Sequence, residues 1–354
     1  MKMAKWSKNA AKRPAAFRIF LQKASFCDTI GKVPADGDAL RKEPSVKRVA
    51  AIFLCLIAGS LLFTGCVRER PEPTWEQTPF TGEREQVNFF TSKGVNYRIY
   101  NDDTAEVDSL DKETFEGTVV RIPDAYERYP VVGVCDGAFQ GEPVQEVTLP
   151  ASVRTIGARA FRQSGLRRFV MPDGVVFVGE DAFDGCDDLQ EITLGKGLSV
   201  YPTGMCYGCS SLKELVIPEG VTVVGEECFS KCGALERISL PASLREIGAY
   251  AFWSAGTEDL AFSVPAGVAA VGAGAFRATA WLRGQTDDFV IVGDGVLLRY
   301  NGAETEVAVP AGVKYLSDAF SGTAVTRVTL PASVTGECRD AWAESRVTDV
   351  VRLP

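Results

Sequence analysis

Four cysteines in the middle of the chain are spaced as the ligands of a zinc ion could be. Cys206, Cys209, Cys228 and Cys232 form the pattern Cys-x2-Cys-x18-Cys-x3-Cys. Four thiolates at comparable spacing hold tetrahedral zinc in structural sites, and the first two also have the Cys-x-x-Cys spacing of a redox pair. Buried thiols and a disulfide are the alternatives. The choice depends on the elements that position these side chains.

Histidine is absent from all 354 residues. Its absence excludes Ser-His-Asp and Cys-His catalysis, histidine-ligated metals and an imidazole proton switch. The chain also lacks a phosphate-binding loop and a dinucleotide glycine fingerprint. A glycosidase can work with two carboxylates and no histidine, but no pair stands out here. We therefore expect a protein that is not an enzyme, with no catalytic residues, no metal site and no cofactor.

Acidic residues cluster in two places. The members are Asp181, Asp184, Asp187 and Asp188 in one cluster, and Asn101, Asp102, Asp103 and Asp108 in the other. Neither cluster has the spacing of a calcium loop, which needs a central glycine and a distal glutamate. Solvated loops are therefore the interpretation that we favour for both.

Charge is divided unevenly along the chain. Residues 1–50 contain 12 Lys and Arg against 4 Asp and Glu, a net charge of +8. Because the whole chain has a net charge of −8, the remaining residues carry −16. A body this acidic repels nucleic acid and anionic membrane surfaces. We expect no nucleic-acid partner.

An uncharged run of 17 residues, 49–65, follows Lys47 and Arg48. A basic flank, a short apolar core and a small residue before a cleavage point are typical of a secretory signal. A membrane-spanning helix is the alternative, but 17 residues is at the short limit for crossing a bilayer. The glycines at Gly59 and Gly65 weaken that alternative further.

The end of this run, Leu62-Phe63-Thr64-Gly65-Cys66, resembles a bacterial lipoprotein box. Thr64, Gly65 and Cys66 fit the pattern, whereas Phe63 stands where leucine is commonest. The resemblance implies that Cys66 is lipidated and becomes the first residue of the mature chain. Several acyl chains on one cysteine exceed what stable membrane anchoring requires.

The amino-terminal segments follow from this interpretation. Residues 1–65 are a leader and lipoprotein signal peptide, of which 1–45 is either an unusually long leader or a stretch before the true start near Val46. Residues 66–84 are rich in proline and charge and form a tether between anchor and domain.

The rest of the chain repeats with a period of 22–24 residues. The pair Ala-Phe, or a variant of it, recurs at this spacing, and two gaps are twice the period. Its second residues are Phe139, Phe161, Phe183, Phe229, Phe252, Phe276 and Phe320, with Cys206 in the first gap and Trp342 after the last. Such a unit cannot bury its own apolar face, so successive units must stack about 5 Å apart as the rungs of a solenoid.

The repeats VTLPASVRTIGARAF, ISLPASLREIGAYAF and AFDGCDDL resemble the BspA-like leucine-rich-repeat family of bacterial surface proteins. The resemblance covers about residues 85–354. It implies a right-handed leucine-rich-repeat solenoid, β-rich with short helical turns and a parallel sheet on one face. Counting the recurring aromatic position predicts about nine rungs. Members of the family are associated with attachment to proteins or cells, so the resemblance implies protein binding and adhesion.

The register of the repeat decides between the readings of the cysteines. Cys206 replaces a core Phe, and Cys228 replaces the Ala before one. Cys186, Cys209 and Cys232 share a column, three residues after the aromatic position, that otherwise holds small residues. Buried thiols are therefore favoured, while a disulfide between neighbouring rungs and a zinc site remain open.

Two segments depart from the repeat. Residues 85–122 have alternating apolar residues around a polar turn and are interpreted as an N-terminal hairpin cap, which a solenoid needs to cover its first rung. Residues 123–354 are the solenoid, with a hairpin insertion at about 280–305 around Gly293-Asp294-Gly295. The insertion is either a structural spacer or a projecting recognition element.

The repeat also predicts which strand residues face solvent. The candidate binding face, four residues before each proline position, consists of Glu146, Arg168, Glu191, Glu214, Arg237 and Arg327. Opposite charges adjoin at Glu146/Arg168 and at Glu214/Arg237. The face is either a solubilising ladder, in which each pair contributes little, or a mixed-charge docking surface. It has no aromatic residue, which argues against a stacking platform for sugars or bases.

Together these features predict a lipid-anchored binding protein at the bacterial outer membrane or cell surface, attached to a membrane through Cys66 and to a host or bacterial macromolecule through the solenoid. A structural, envelope-organising lipoprotein and a carbohydrate-processing lipoprotein are the alternatives. A contiguous apolar or single-sign patch favours the binding protein, dispersed mixed charge the structural one, and a deep pocket with convergent carboxylates the enzyme.

Overall fold

The computed structural model of the protein describes residues 84–354; the predicted signal region, Cys66 and the predicted tether up to residue 83 lie outside the described residues. In this part the chain winds into a β-solenoid of about eleven rungs. Each rung passes from a strand on one side to a shorter strand on a second side and then through a corner that contains the recurring aromatic residue. No helix in residues 84–354 has the length and apolar character needed to cross a bilayer.

Short parallel strands form the first side, which we call the strand face. In the three-residue strands the central side chain is buried and the outer two point away from the core, because successive side chains of a strand alternate between faces. The strands are β4 (Val119–Arg121), β7 (Glu146–Thr148), β9 (Arg168–Val170), β11 (Glu191–Thr193), β13 (Glu214–Val216), β15 (Arg237–Ser239), β20 (Glu306–Ala308), β22 (Arg327–Leu330) and β24 (Asp349–Arg352).

Eleven strands form the second side. Most contain two residues, of which the second is buried. They are β3 (Ala105–Leu110), β6 (Tyr129–Val134), β8 (Thr155–Ile156), β10 (Phe177–Val178), β12 (Val200–Tyr201), β14 (Val223–Val224), β16 (Glu246–Ile247), β17 (Ala270–Val271), β19 (Val296–Tyr300), β21 (Tyr315–Leu316) and β23 (Gly336–Glu337). Parallel pairing thus occurs on two sides of the solenoid, not on the one that the family resemblance implies.

Antiparallel strands begin the described chain. Strands β1 (Gln86–Ser92) and β2 (Val95–Tyr100) pair antiparallel, and β2 pairs antiparallel with β3 around residues 101–104. From β3 onward the pairing becomes parallel, first with β6. The short strand β5 (Ala125–Tyr126) pairs back on β6, and the Tyr126 ring stacks 5.4 Å from that of Tyr97.

Phenylalanine rings stack along the interior as the repeat predicts. The residue at the recurring aromatic position, the plug residue, is fully buried in most rungs. Ring centroids are 5.1 Å apart from Phe139 to Phe161, and 5.6 Å apart between Phe252 and each of its neighbours, Phe229 and Phe276. This spacing follows from the separation of about 4.8 Å between neighbouring strands. The predicted leucine-rich-repeat solenoid is confirmed.

At the plug corner, peptide groups pair between rungs without forming strands. In the Phe161 rung, the N–H groups of the plug residue and of the residues two before and two after it donate to carbonyl oxygens of the next rung, at 2.7–2.9 Å. The same three donors recur in the six rungs from Phe139 to Phe252. The residues on either side, such as Arg159 and Gln163, have φ values of 56° and 55°. Because residues with left-handed and right-handed backbone conformations alternate, all three N–H groups point toward the same neighbouring rung.

The plug corner therefore corrects one expectation. The predicted short helical turns are hydrogen-bonded turns in which right- and left-handed residues alternate. A left-handed residue other than glycine costs roughly 1–2 kcal/mol, and the inter-rung hydrogen bonds offset that cost. Within residues 84–354 only α1 (Ala280–Arg283), capped by the Thr279 side chain, is a helix.

The rung count of about nine is also corrected, to about eleven. The predicted count rests on the Ala-Phe pair and its variants, and two rungs lack any such pair. One contains β3, which pairs parallel with β6. The other contains β19, which forms an antiparallel hairpin with β18 (Phe289–Val292) and pairs parallel with β21. In that rung Tyr300 takes the place of the plug, since its N–H donates to the carbonyl of Ala319 at 2.9 Å.

The buried core divides at this hairpin. Leu298 packs with the rungs before it, whereas Leu297 and Tyr300 pack with the rungs after it. The β19 rung runs from the second side to the strand face through residues 301–305 and, apart from Tyr300, omits the plug corner. The Phe276 and Phe320 rungs consequently face each other across a gap at that corner.

Candidate binding surfaces

The strand face places the predicted charged residues in one outward row. Parallel registers align Glu146 with Arg168, Arg168 with Glu191, and Glu214 with Arg237. Their side chains are exposed; that of Arg168, for example, is 70% accessible. The residues two positions later also point outward, and Val170 and Val216 are 64% and 53% exposed. The strand face is thus an accessible, regularly spaced surface.

Ion pairs neutralise most of this charge. Arg168 Nη2 lies 3.1 Å from Glu191 Oε1, and Arg237 Nη2 lies 3.0 Å from Glu214 Oε2. Arg327, in the last predicted position, pairs with Asp349 at 3.3 Å. Each pair spans neighbouring rungs, so the charge is mixed along the whole row. The strand face therefore has no patch of one sign.

One predicted pair differs in detail. Glu146 lies beside Arg168 in register, but the Arg168 guanidinium bonds to Glu191 on its other side. Arg168 has an acidic neighbour in both adjacent rungs, and the observed bond uses one of them. Hydrogen bonding to Arg237 holds the pKa of the Glu214 carboxyl below its usual value. Because this pair is open to solvent, its contribution to stability is small.

The cysteines lie in the core as the register predicts. Cys186, Cys206, Cys209, Cys228 and Cys232 are buried free thiols. In the column three residues after the plug, the thiols of Cys186, Cys209 and Cys232 donate to plug-residue carbonyls one rung back, at 3.0–3.2 Å. In these three rungs, the column therefore holds a small side chain that also donates a hydrogen bond.

Burial controls the reactivity of these thiols. Desolvation raises the pKa of Cys232 to about 12 and that of Cys228 well above its usual value. Since the thiolate is the reactive form, the native protein should resist a thiol reagent such as Ellman's reagent, and all the core thiols should react once it is unfolded. The same shift predicts a pH effect. A thiol whose pKa is raised on folding stabilises the fold fully below pH 9, its usual pKa, and this stabilisation is lost as pH rises toward 12.

The thiol prediction is checked by counting modified cysteines before and after denaturation and by metal analysis. Rapid reaction of Cys206 and Cys209 in the folded state, or zinc at one ion per chain with unfolding on chelation, contradicts it. In residues 84–354, no group of three or more His, Cys, Asp or Glu side chains is arranged to hold a metal ion.

Some carboxylates of the acidic clusters form ion pairs. Asp184 pairs with Arg162 at 2.8 Å, and Asp102 pairs with Arg84 at 2.9 Å. Arg84 also stacks over the Tyr100 ring, 3.9 Å from its centroid. These pairs account for carboxylates that the sequence assigned to solvated loops, and they lie at the flank of the solenoid and in the N-terminal strands.

A half-open cavity of about 370 Å³ lies beside the N-terminal strands. Glu106 lies at its centre and accepts hydrogen bonds from Arg84, from the Tyr100 hydroxyl at 3.0 Å and from the Cys135 thiol at 3.4 Å. Burial and the Glu106 carboxylate raise the pKa of Cys135 to about 12. Arg84, Tyr100 and Cys135 thus all donate to Glu106, so the cavity has the character of a structural cluster.

Aromatic residues missed by the sequence analysis line the plug corner. The Lys231 ammonium lies 4.9 Å from the Tyr207 ring centroid and 5.3 Å from that of Trp253. The two aromatics are two rungs apart, and Ser230, in the rung between them, is small and buried. Tyr207 and Trp253 share the position directly after the plug. This shared position is the sequence signal that could have indicated an aromatic surface outside the strand face.

A family model described as the BspA type leucine rich repeat region matches the chain, with six copies across residues 133–258. No curated protein matches the sequence at a significant level. The six copies correspond to the rungs from β6 to the Phe252 plug, where the plug-corner ladder is unbroken. Family and geometry therefore identify the same part of the chain.

Two solved structures were compared with the chain. A leucine rich cell surface protein from Faecalibacterium prausnitzii A2-165 is 24% identical, with a TM-score of 0.53, covering 75% of this chain and 77% of its own. A leucine-rich repeat protein from Eubacterium ventriosum ATCC 27560 is 23% identical, with a TM-score of 0.48, covering 59% of this chain and 53% of its own. The first supports the fold. The predicted family resemblance is confirmed for residues 133–258, which the BspA type leucine rich repeat model matches in six copies.

Proposed function

We propose that the protein is a lipid-anchored leucine-rich-repeat protein of the bacterial cell surface, non-enzymatic, which attaches through its strand face to a protein or another macromolecule of a host or a bacterium. Cys66 is the anchor in this proposal, and the outer membrane is its site. The cell-surface description of the Faecalibacterium protein and the lipoprotein box at the N-terminus support this location.

The observation that carries the binding proposal is the strand face itself. Its outward charges and its exposed Val170 and Val216 repeat at the rung spacing. Extended repeat surfaces of this kind are what solenoid proteins use for binding. A partner with alternating charge at the same spacing can exchange the Arg168–Glu191 and Arg237–Glu214 pairs for pairs across the interface, which gives register and specificity more than affinity.

The pairwise neutralisation of charge favours a second candidate. An envelope-organising protein needs a soluble, regular spacer and no strong patch, and the ion pairs along the strand face fit that description. In that case the strand face contributes solubility, and contacts lie elsewhere on the molecule.

The two candidates predict different results for charge reversal on the strand face. The domain from residue 84 onward, immobilised, is exposed separately to host matrix extract and to bacterial envelope extract. We expect Arg168→Glu and Arg237→Glu together to abolish retention of the major bound protein, because positions 146, 168, 191, 214 and 237 of the row are then all acidic. The matched control carries Arg159→Glu and Arg339→Glu, which change the net charge equally at exposed positions outside the strand face. Equal retention by both double variants contradicts binding through the strand face.

A further inference from the structure

The hydrogen-bond ladder of the plug corner is interrupted after the Phe276 rung. In each of the six preceding rungs, three N–H groups donate to carbonyls of the next rung. The Phe276 rung has no such neighbour, because the β19 rung omits the plug corner. Its first donor, the N–H of Gly274, is satisfied by a side chain: Asp318 Oδ1 accepts it at 3.0 Å. Among the described residues, the N–H groups of Phe276 and Ala278 have no hydrogen-bond partner.

A cleft of about 250 Å³ opens at this interruption. Val271, Phe276 and Leu298 form apolar walls, and Ala278 and Arg299 also line it. Its volume is below the range of about 300–1,000 Å³ that is usual for whole small-molecule ligands. The space therefore suits one side chain or one terminal residue of a longer ligand.

The contacts of Asp318 show that the Phe276 rung binds a carboxylate. Its carboxylate reaches across the gap to the Gly274 N–H and to Arg277 Nη2, each at 3.0 Å. Arg277 also pairs with Glu344 at 3.0 Å. A carboxylate is thus already bound to the first of three parallel N–H donors, and the other two have no hydrogen-bond partner. Charge-assisted hydrogen bonds of this kind are about twice as strong as neutral ones.

On the Phe276 rung, the groups without a partner at the cleft are donors. Besides the two N–H groups, the exposed guanidinium of Arg299 has no ion pair among the described residues. We propose that this cleft binds a carboxylate of an acidic peptide, accepted by the N–H groups of Phe276 and Ala278 with Arg299 at the rim. The carboxylate belongs either to an acidic side chain or to a chain terminus. This site is separate from the strand face and stands whether or not that face binds a partner.

Amide chemical shifts in nuclear magnetic resonance spectra of the domain test the proposal. The probes are acetyl-Gly-Glu-Gly-amide, with a side-chain carboxylate; acetyl-Gly-Gly-Gly, with a terminal one; and neutral acetyl-Gly-Gln-Gly-amide. We expect one or both anionic probes to shift the amide signals of Phe276 and Ala278. The amide of Ser254, which is bonded to the carbonyl of Arg277 at 2.9 Å, should stay in place as an internal control.

Two pairs of variants separate the cleft from general surface effects. Ala278→Gln places a longer side chain in the cleft and should remove the shifts; Ser254→Gln makes the same change at the equivalent position one rung earlier and should not. Both positions have the left-handed backbone that Gln163 already adopts, so the variants should fold. Arg299→Gln should weaken binding roughly threefold, whereas Arg167→Gln, at an exposed arginine beside the strand face, should leave it unchanged.

Three results overturn the proposal. They are equal shifts with the neutral probe, equal loss of binding in Ala278→Gln and Ser254→Gln, and the absence of Phe276 and Ala278 shifts with both anionic probes up to their solubility limit. Which anionic probe binds more tightly identifies the source of the carboxylate.

Discussion

Replacing Phe252 with alanine is expected to destabilise the solenoid by about 3–5 kcal/mol, the usual cost of truncating a fully buried Phe. The ring has no solvent exposure and stacks on Phe229 and Phe276 at 5.6 Å on both sides. Because each rung contacts only its neighbours, a cavity here weakens two interfaces at once. Thermal unfolding followed by circular dichroism should show a fall in Tm of roughly 6–20 °C, given about 2–4 °C per kcal/mol for a domain of this size.

Arg237→Ala is the control for this experiment. Its side chain is exposed and its ion pair with Glu214 lies in solvent, so Tm should hardly move. If Phe252→Ala and Arg237→Ala have equally small effects, the register of the repeat and the stacked ladder are both incorrect.

Replacing Cys66 with alanine is expected to block membrane attachment completely while leaving the solenoid folded. The thiol is the atom that a lipid-transfer reaction modifies, and each buried CH₂ of an acyl chain contributes about 0.8 kcal/mol to anchoring. Cells that express the variant should accumulate the unprocessed precursor and should not incorporate labelled fatty acid into it. Mass spectrometry of the wild-type protein should find a mature chain that begins at lipid-modified Cys66.

Cys55→Ala is the matched control, because Cys55 lies in the same apolar run, eleven residues earlier. This variant should be processed and lipidated like the wild type. Loss of labelling in both variants points to a general defect in export. A wild-type protein that keeps residues 1–65 and carries no lipid contradicts both the lipid anchor and the surface location.

The periodic residues allowed the fold to be predicted from the sequence. Phe139, Phe161 and Phe183 recur every 22 residues, and only stacked rungs bring such residues together. The buried cysteines followed from the same register, since Cys206 occupies a plug position. These predictions depend on which residue faces inward, and that is what a repeat encodes.

Features that depend on backbone hand or on long-range contacts could not be predicted. The left-handed positions flanking each plug hold Gly137 in one rung but Arg159 in the next, so no glycine signal marks them. The rung of β19 was missed because Tyr300 replaces the Ala-Phe pair. The contact of Arg277 with Asp318 joins residues 41 apart across the hairpin, and no local sequence pattern predicts it.

The alternating backbone of the plug corner makes this corner electrically polar, whereas on the second side N–H groups such as those of Arg154 and Gly157 donate to the preceding rung. In each rung three peptide groups lie parallel to the long axis, with every N–H directed toward the following rung. A peptide dipole is about 3.5 D, and three per rung of about 4.8 Å match the density of an α-helix, which has 3.6 per 5.4 Å. Ordinary β-sheets have only small net dipoles, because their peptide groups alternate in direction.

Within the plug corner, the peptide dipoles of the six rungs from Phe139 to Phe252 and of the Phe276 rung therefore add, with a direction opposite to that in a helix: the positive end lies toward the later residues. The negative end is at the carbonyls of the Phe139 rung. The positive end is at Gly274, Phe276 and Ala278, where Asp318 already places a carboxylate. The N–H groups at the interruption in the ladder therefore attract an acidic segment of a partner, whereas the carbonyl groups at its beginning do not.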